Sequence, residues 1–247
     1  MEIETILILG VVFFSAGVVK GLLGIGFPAI LIGLLTFFVD PREAVSLAII
    51  AMVVTNFRQG FSGEPVLRIL KRFWIYCLIG SLGIFIAAYY GAFVSQSVLL
   101  ISAGIAMVLF GATSLFLNMP QVPDRHDKLA QVIAGVLGAI MGGLTGIWGP
   151  PLAAYLASRG LQKNEMVQAL GLVFFVQSVP LMIGLIASGA LGVENATLGA
   201  LLLVPAFTAF LLGERLRHKM NVVQFTRAFM ILFILLGLNL IRRGLVS

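Results

Sequence analysis

The sequence predicts an all-α polytopic membrane protein made of two inverted-topology repeats. Only 11% of its 247 residues are charged and 60% are hydrophobic, against about 25% charged in an average soluble domain. Mean hydropathy is +1.10, so water is not its main solvent. The apolar residues fall into runs of membrane-spanning length. One glycine- and proline-rich stretch is also written twice. Gly21-Leu22-Leu23-Gly24-Ile25-Gly26-Phe27-Pro28 returns 122 positions later as Gly143-Leu144-Thr145-Gly146-Ile147-Trp148-Gly149-Pro150, with five of the eight positions identical.

The apolar runs are 5–23, 27–38, 43–61, 73–92, 97–117, 129–146, 149–158, 164–188, 193–213 and 222–241. A helix needs about 20 residues to cross a hydrocarbon core of about 30 Å, so runs 27–38 and 149–158 are too short to cross alone. Each follows a glycine/proline break and pairs with the run before it, giving the broken or re-entrant hairpins 5–38 and 129–158. Whether the hairpins fully cross or only re-enter is left open by the sequence. Three spans follow each hairpin: 43–61, 73–92 and 97–117, then 164–188, 193–213 and 222–241. The first repeat is 1–120 and the second 129–247, joined by a cytoplasmic linker at 121–128 that carries Pro123, Asp124 and Asp127.

Basic residues set the orientation, because Lys and Arg collect in cytoplasmic loops. Arg68, Lys71, Arg72, Arg125, Lys128, Arg159, Lys163, Arg215, Arg217 and Lys219 all fall in loops that one alternation places on a single side. The other side keeps Arg42, Arg242 and Arg243. That alternation puts both termini on the non-cytoplasmic side of a plasma (inner) membrane. It also tests the repeat. The basic loop 62–72 maps, 122 positions on, to 184–194, which has no Lys or Arg, while the uncharged loop 93–96 maps to the basic 215–218. A charge bias that flips between equivalent loops is what an inverted repeat requires. The net charge of +6 is thereby assigned to orientation, not to nucleic acid. The N-terminus has no basic n-region, so no cleavable signal is expected. Cys77 is the only cysteine, and no Cys/His cluster or nucleophile–base set appears. We expect no metal, no cofactor and no enzyme activity. The lipid bilayer is the expected partner, and homo-oligomerisation is left open.

The chemistry concentrates at the breaks. A helix that starts inside the bilayer leaves its first N–H groups unpaired and carries partial positive charge there. Proline suits its first turn because it has no N–H, and Pro28, Pro150 and Pro151 are so placed. Gly24, Gly26, Gly146 and Gly149 let the backbone turn and a ligand approach it. Phe27, Thr145 and Trp148 lie within the same breaks. Two such N-termini facing each other form a site for a small anion; the competing reading makes the glycines packing residues and the prolines kinks. All ten acids lie in loops or at run ends, and only Lys20, Arg58 and Arg227 intrude into runs as cations. Lys20 precedes the first break and is the candidate anion-attracting charge, with snorkelling as its alternative. Arg58 is a vestibule candidate on the same terms. Thr55-Asn56 and Gln177-Ser178, equivalent at the offset of 122, can complete the anion's shell or hydrogen-bond between helices.

On Gly143-Leu144-Thr145-Gly146-Ile147-Trp148-Gly149-Pro150-Pro151, its earlier copy, and Arg42-Glu43-Ala44-Val45-Ser46 after the first hairpin, the chain resembles the TauE/SafE family of sulfite exporters, also called the toluene-sulfonate uptake permease family. The likeness extends over essentially the whole chain. Relatives often carry a glycine run where this chain has Gly26-Phe27-Pro28, which implies a narrower first site. The resemblance implies a plasma-membrane carrier of sulfite or small organosulfonates. The expectation is therefore a secondary transporter for a small sulfur-containing anion, working by alternating access. A passive anion channel, or a carrier of a carboxylate or thio-anion, is the alternative.

Overall fold

The computed structural model describes residues 3–116, 121–217 and 222–246. The end of the expected span 97–117, residues 118–120 before the linker, and the basic Lys219 lie outside them. The described residues form eleven α-helices: α1 (Ile3–Leu23), α2 (Phe27–Leu35), α3 (Pro41–Gly60), α4 (Val66–Arg72), α5 (Trp74–Gly91), α6 (Gln96–Phe116), α7 (Asp127–Thr145), α8 (Gly149–Ser158), α9 (Lys163–Ala187), α10 (Val193–Leu216) and α11 (Val222–Val246). No strand occurs among them, and every apolar run of the sequence has its helix. One helix was not expected. The loop after α3 holds α4, which buries Ile69 and turns Arg68, Lys71 and Arg72 away from the core.

Seven helices are long and apolar enough to cross a membrane: α1, α5, α6, α7, α9, α10 and α11. At a rise of about 1.5 Å per residue, α1 with 21 residues and α7 with 19 reach across most of a bilayer. The first arm of each hairpin is thus long enough for a near-full crossing, and only the second arm is short. Helix α3, expected as a span at 43–61, is too polar to be one of them. It carries Ser46, Thr55, Asn56 and Gln59, all buried, because its neighbours are α2, α9 and α10, not lipid.

The main helix pairs are kept when α1, α2, α3, α5 and α6 are exchanged with their counterparts 122 positions on, α7, α8, α9, α10 and α11. Helix α1 packs on α10 and α7 on α5; α3 packs on α10 and α9 on α5; α2 packs on α11 and α8 on α6. Helices α3 and α9 pack on each other, as do α6 and α11. Glycines set the closest approaches, as they do where helices pack without a hydrophobic drive. A Cβ added to Gly21 would lie 2.7 Å from the Gly213 Cα, and one added to Gly213 would lie 2.8 Å from the Gly21 Cα. Gly17 meets Ala206 and Ala209 higher on the same pair, so α1 and α10 run the same way. Helices α5 and α7 also run the same way: Gly83 meets Ala139, and Gly143 meets Ala87 and Ala88.

Each break is built from left-handed glycine. Gly24 (φ +77°) and Gly26 (φ +91°) turn the chain out of α1, and Gly146 (φ +70°) ends α7. Its N–H donates to the Gly142 carbonyl at 2.8 Å. Two side chains fasten the first break. Arg217 donates to the Gly21 carbonyl (2.6 and 3.0 Å) and the Leu22 carbonyl (3.1 Å), satisfying the carbonyls that a helix end leaves free. Burial lowers the Arg217 pKa from its ordinary value and nearby Glu214 raises it. Gln59 Nε2 donates to both the Gly24 carbonyl (2.9 Å) and the Val167 carbonyl (2.8 Å).

Candidate functional site

The two short helices begin near one point and leave it in opposite directions. Helix α2 starts at Gly26, beside Phe233 in the middle of α11. It ends at Thr36, whose carbonyl accepts from Arg243 near the α11 C-terminus at 2.6 Å. Helix α8 starts at Gly149, beside Phe174 in the middle of α9. It ends at Ser158 and Arg159, where Arg159 bonds the Val122 carbonyl (2.7 Å) and Asp124 (2.6 Å). Neither start has a side-chain cap, and each has proline in its first turn.

Between those starts lies a cavity of about 20 Å³, on a scale where one water needs about 10–15 Å³. The first break contributes Ile25, Gly26, Pro28 and Ala29, the second Ile147, Trp148 and Gly149. Lys20, Met52, Asn56, Phe110 and Phe174 complete the wall. Several of these are equivalents at the offset of 122: Ile25 and Ile147, Gly26 and Trp148, Met52 and Phe174. None of the lining residues is exposed.

Its polar wall is a short hydrogen-bond chain. Ser178 Oγ donates to the Phe174 carbonyl at 2.6 Å, which leaves its oxygen free to accept from Asn56 Nδ2 at 3.0 Å. The Asn56 amide is thereby oriented with Oδ1 toward Lys20, and Lys20 Nζ donates to it. Asn56 and Ser178 are 122 positions apart, so equivalent positions of the two halves touch directly. Lys20 is 2% exposed, and its Nζ sits 5.8 Å from the centre of the Phe174 ring. Trp148 stacks edge-on against Phe174 with ring centres 5.8 Å apart. The Trp148 indole N–H is buried and has no hydrogen-bond partner.

The structure thus brings Lys20, Gly26, Pro28, Asn56, Trp148 and Gly149 onto one wall, with Ser178 directly behind Asn56. Other sequence candidates do other work. Gly24 and Gly146 form the turns and do not line the cavity. Phe27 is core, edge-on to Phe13 at 6.4 Å. Thr55 bonds the Ala51 carbonyl of its own helix at 2.6 Å. Thr145 Oγ1 donates to the Met141 carbonyl (2.6 Å) and accepts from the Ile147 N–H (3.2 Å), which shapes the second break. Pro150 is buried at the start of α8, while Pro151 faces an apolar groove with Ile133 and Tyr155. Gln177 is buried against Gly80 and faces Tyr76, with neither its amide nor the Tyr76 hydroxyl in a well-formed hydrogen bond. Arg58 is half exposed and pairs with Glu214 at 3.7 Å.

Sequence reasoning missed the apolar lining: Ile25, Met52, Phe110, Ile147 and Phe174. The identity of Ile25 with Ile147 was visible, but nothing marked either side chain as facing a cavity. No group of His, Cys, Asp or Glu suited to a metal occurs among the described residues.

A family model described as "Sulfite exporter TauE/SafE" matches residues 8–240. No curated protein and no solved structure matches the chain.

Proposed function

The chain belongs to the sulfite exporter TauE/SafE family, a family of multi-pass membrane transporters, and on that premise we propose that it carries sulfite or a small organosulfonate by alternating access. The anion is held between the N-termini of α2 and α8. The observation that carries this reading is the convergence of two uncapped helix starts on one small cavity whose wall includes Lys20. Each helix start is equivalent to about half a positive charge, so two of them roughly balance a monovalent anion before Lys20 is counted. The Trp148 indole N–H, buried without a partner, supplies a further donor. No carboxylate lines the cavity, as suits an anion in place of a metal cation.

A cavity this small, with no exposed residue in its wall, supports a carrier over an open channel. Its volume of about 20 Å³ is too small for a sulfur oxyanion, so loading requires the two hairpins to part. Equivalent helices packed in the same pairs give the fold two related arrangements to exchange, as in other inverted-repeat carriers. Purified chain in liposomes tests this. A sulfite gradient is expected to drive counterflow of labelled sulfite, and ethanesulfonate is expected to compete. Failure of both anions to move would overturn the reading, and flux that ohmically follows voltage without counterflow would make the chain a channel.

A further inference from the structure

Lys20 is the only charged side chain that is buried among the described residues. At the cavity its Nζ has one neutral acceptor, Asn56 Oδ1, and the Phe174 ring at 5.8 Å. No carboxylate among the described residues forms an ion pair with it. The charges that act on it come from α10, as Arg217 and Glu214. Arg217 is seated on the α1 carbonyls, and Glu214 pairs with Arg58 of α3. The cavity-lining residues of α2, α6, α8 and α9 are all uncharged.

A desolvated ammonium without an anionic partner is unfavourable. An arriving anion supplies that partner at the one place where the wall lacks it. We infer that Lys20 couples the anion to a proton, holding its proton while the anion is bound and releasing it when the anion leaves. This rests on the proposed anion site. The proton is taken from the solution on the side where the anion loads, converting the amine to the ammonium. It is given up on the side where the anion unloads, so one proton crosses with each anion. Reciprocity is required: if the anion favours the ammonium, the ammonium favours the anion by the same factor. A monovalent anion then crosses without net charge, and a pH difference alone moves it uphill.

The test uses ethanesulfonate, whose sulfonate does not titrate near neutrality, so any proton taken up belongs to the protein. Binding to the purified full chain is measured across pH, with an indicator dye in weak buffer. Affinity is expected to fall by about tenfold per pH unit over the range where the empty site is unprotonated, the slope that one linked proton imposes. About one proton is expected to disappear per anion bound. Lys20→Arg keeps its charge at any working pH, so it is expected to bind with a flat pH profile; Lys20→Gln is expected to bind weakly and equally flatly. Anion binding without proton uptake in the unaltered chain, or an unchanged slope in Lys20→Arg, overturns the coupling and leaves the anion site standing. No binding of any sulfur oxyanion at any pH overturns the site and the coupling together.

Discussion

Asn56 reaches Lys20 with its carbonyl oxygen because Ser178 has already spent its hydrogen on the Phe174 carbonyl. Ser178→Ala removes that constraint and leaves the Asn56 amide free to turn; anion affinity is expected to fall several-fold while the chain inserts normally. Lys20→Met removes a charge-assisted hydrogen bond, whose worth of about 1.5–3 kcal/mol corresponds to roughly ten- to a hundredfold in affinity. Flux at saturating anion is expected to survive, because the helix starts remain. Lys20→Glu sets a negative charge in the cavity and is expected to abolish flux. Concentration-dependent uptake separates these outcomes, and wild-type affinity in Lys20→Met would remove Lys20 from the site. A different pair bears on acid stability. Arg159 holds the Asp124 carboxyl below the usual carboxylate range, by a hydrogen bond first and by its charge second. A carboxyl depressed in the folded state stabilises above its unfolded value of about 4 and loses that contribution as pH falls through the folded one. Asp124→Asn is therefore expected to melt slightly earlier than wild type at pH 7, with the difference shrinking as the pH is lowered. Melting identical to wild type at pH 7 would mean that the pair contributes nothing.

Hairpins and helix seams carry the next level. Gly149 accepts a methyl cheaply, since an added Cβ meets only Phe174 Cζ at 3.8 Å. That methyl sits at the cavity, so Gly149→Ala is expected to insert and fold normally but transport several-fold more slowly; unimpaired flux would take Gly149 out of the site. Gly213 is the opposite case, because α1 lies where its side chain would go. Gly213→Val is expected to force the α1–α10 seam apart and reduce yield in the membrane, as overpacking does in any close-packed interior. Much of this level was legible beforehand. Glycine and proline inside apolar runs announced both breaks, and run lengths announced every helix except α4. Its seven residues are too few for a hydropathy run to mark. The seams were not legible, since Gly21 and Gly213 lie more than three-quarters of the chain apart and periodicity says nothing about which helices become neighbours. Lys20, Asn56 and Trp148 were found because polar groups are rare in such runs. Met52, Phe110 and Phe174 were not, because an apolar residue facing a cavity looks like one facing lipid.

At the scale of the molecule, the halves are proposed to be related by a two-fold axis in the membrane plane, passing between Asn56 and Ser178. Cys77 is buried, so single cysteines introduced elsewhere report on sidedness. Ser95→Cys and Ser188→Cys are expected to react with an impermeant thiol reagent from outside the cell, Ser62→Cys and Arg125→Cys only after the membrane is opened. Reaction of all four from one side would defeat the inverted arrangement. Two separate copies of a half-chain meeting about such an axis would set every axial residue against itself, asparagine on asparagine, and would give Lys20 an identical twin. One continuous chain is free of that constraint, because its halves differ in sequence. In this chain the pair proposed to lie on the axis is an amide and a hydroxyl. The position matching Lys20 is now Gly142, where an added Cβ would fall 2.8 Å from the Trp148 Cβ. A single chain, unlike two identical halves, can keep one amine where symmetry would impose two, and the proposed guest with one negative charge would meet one lysine.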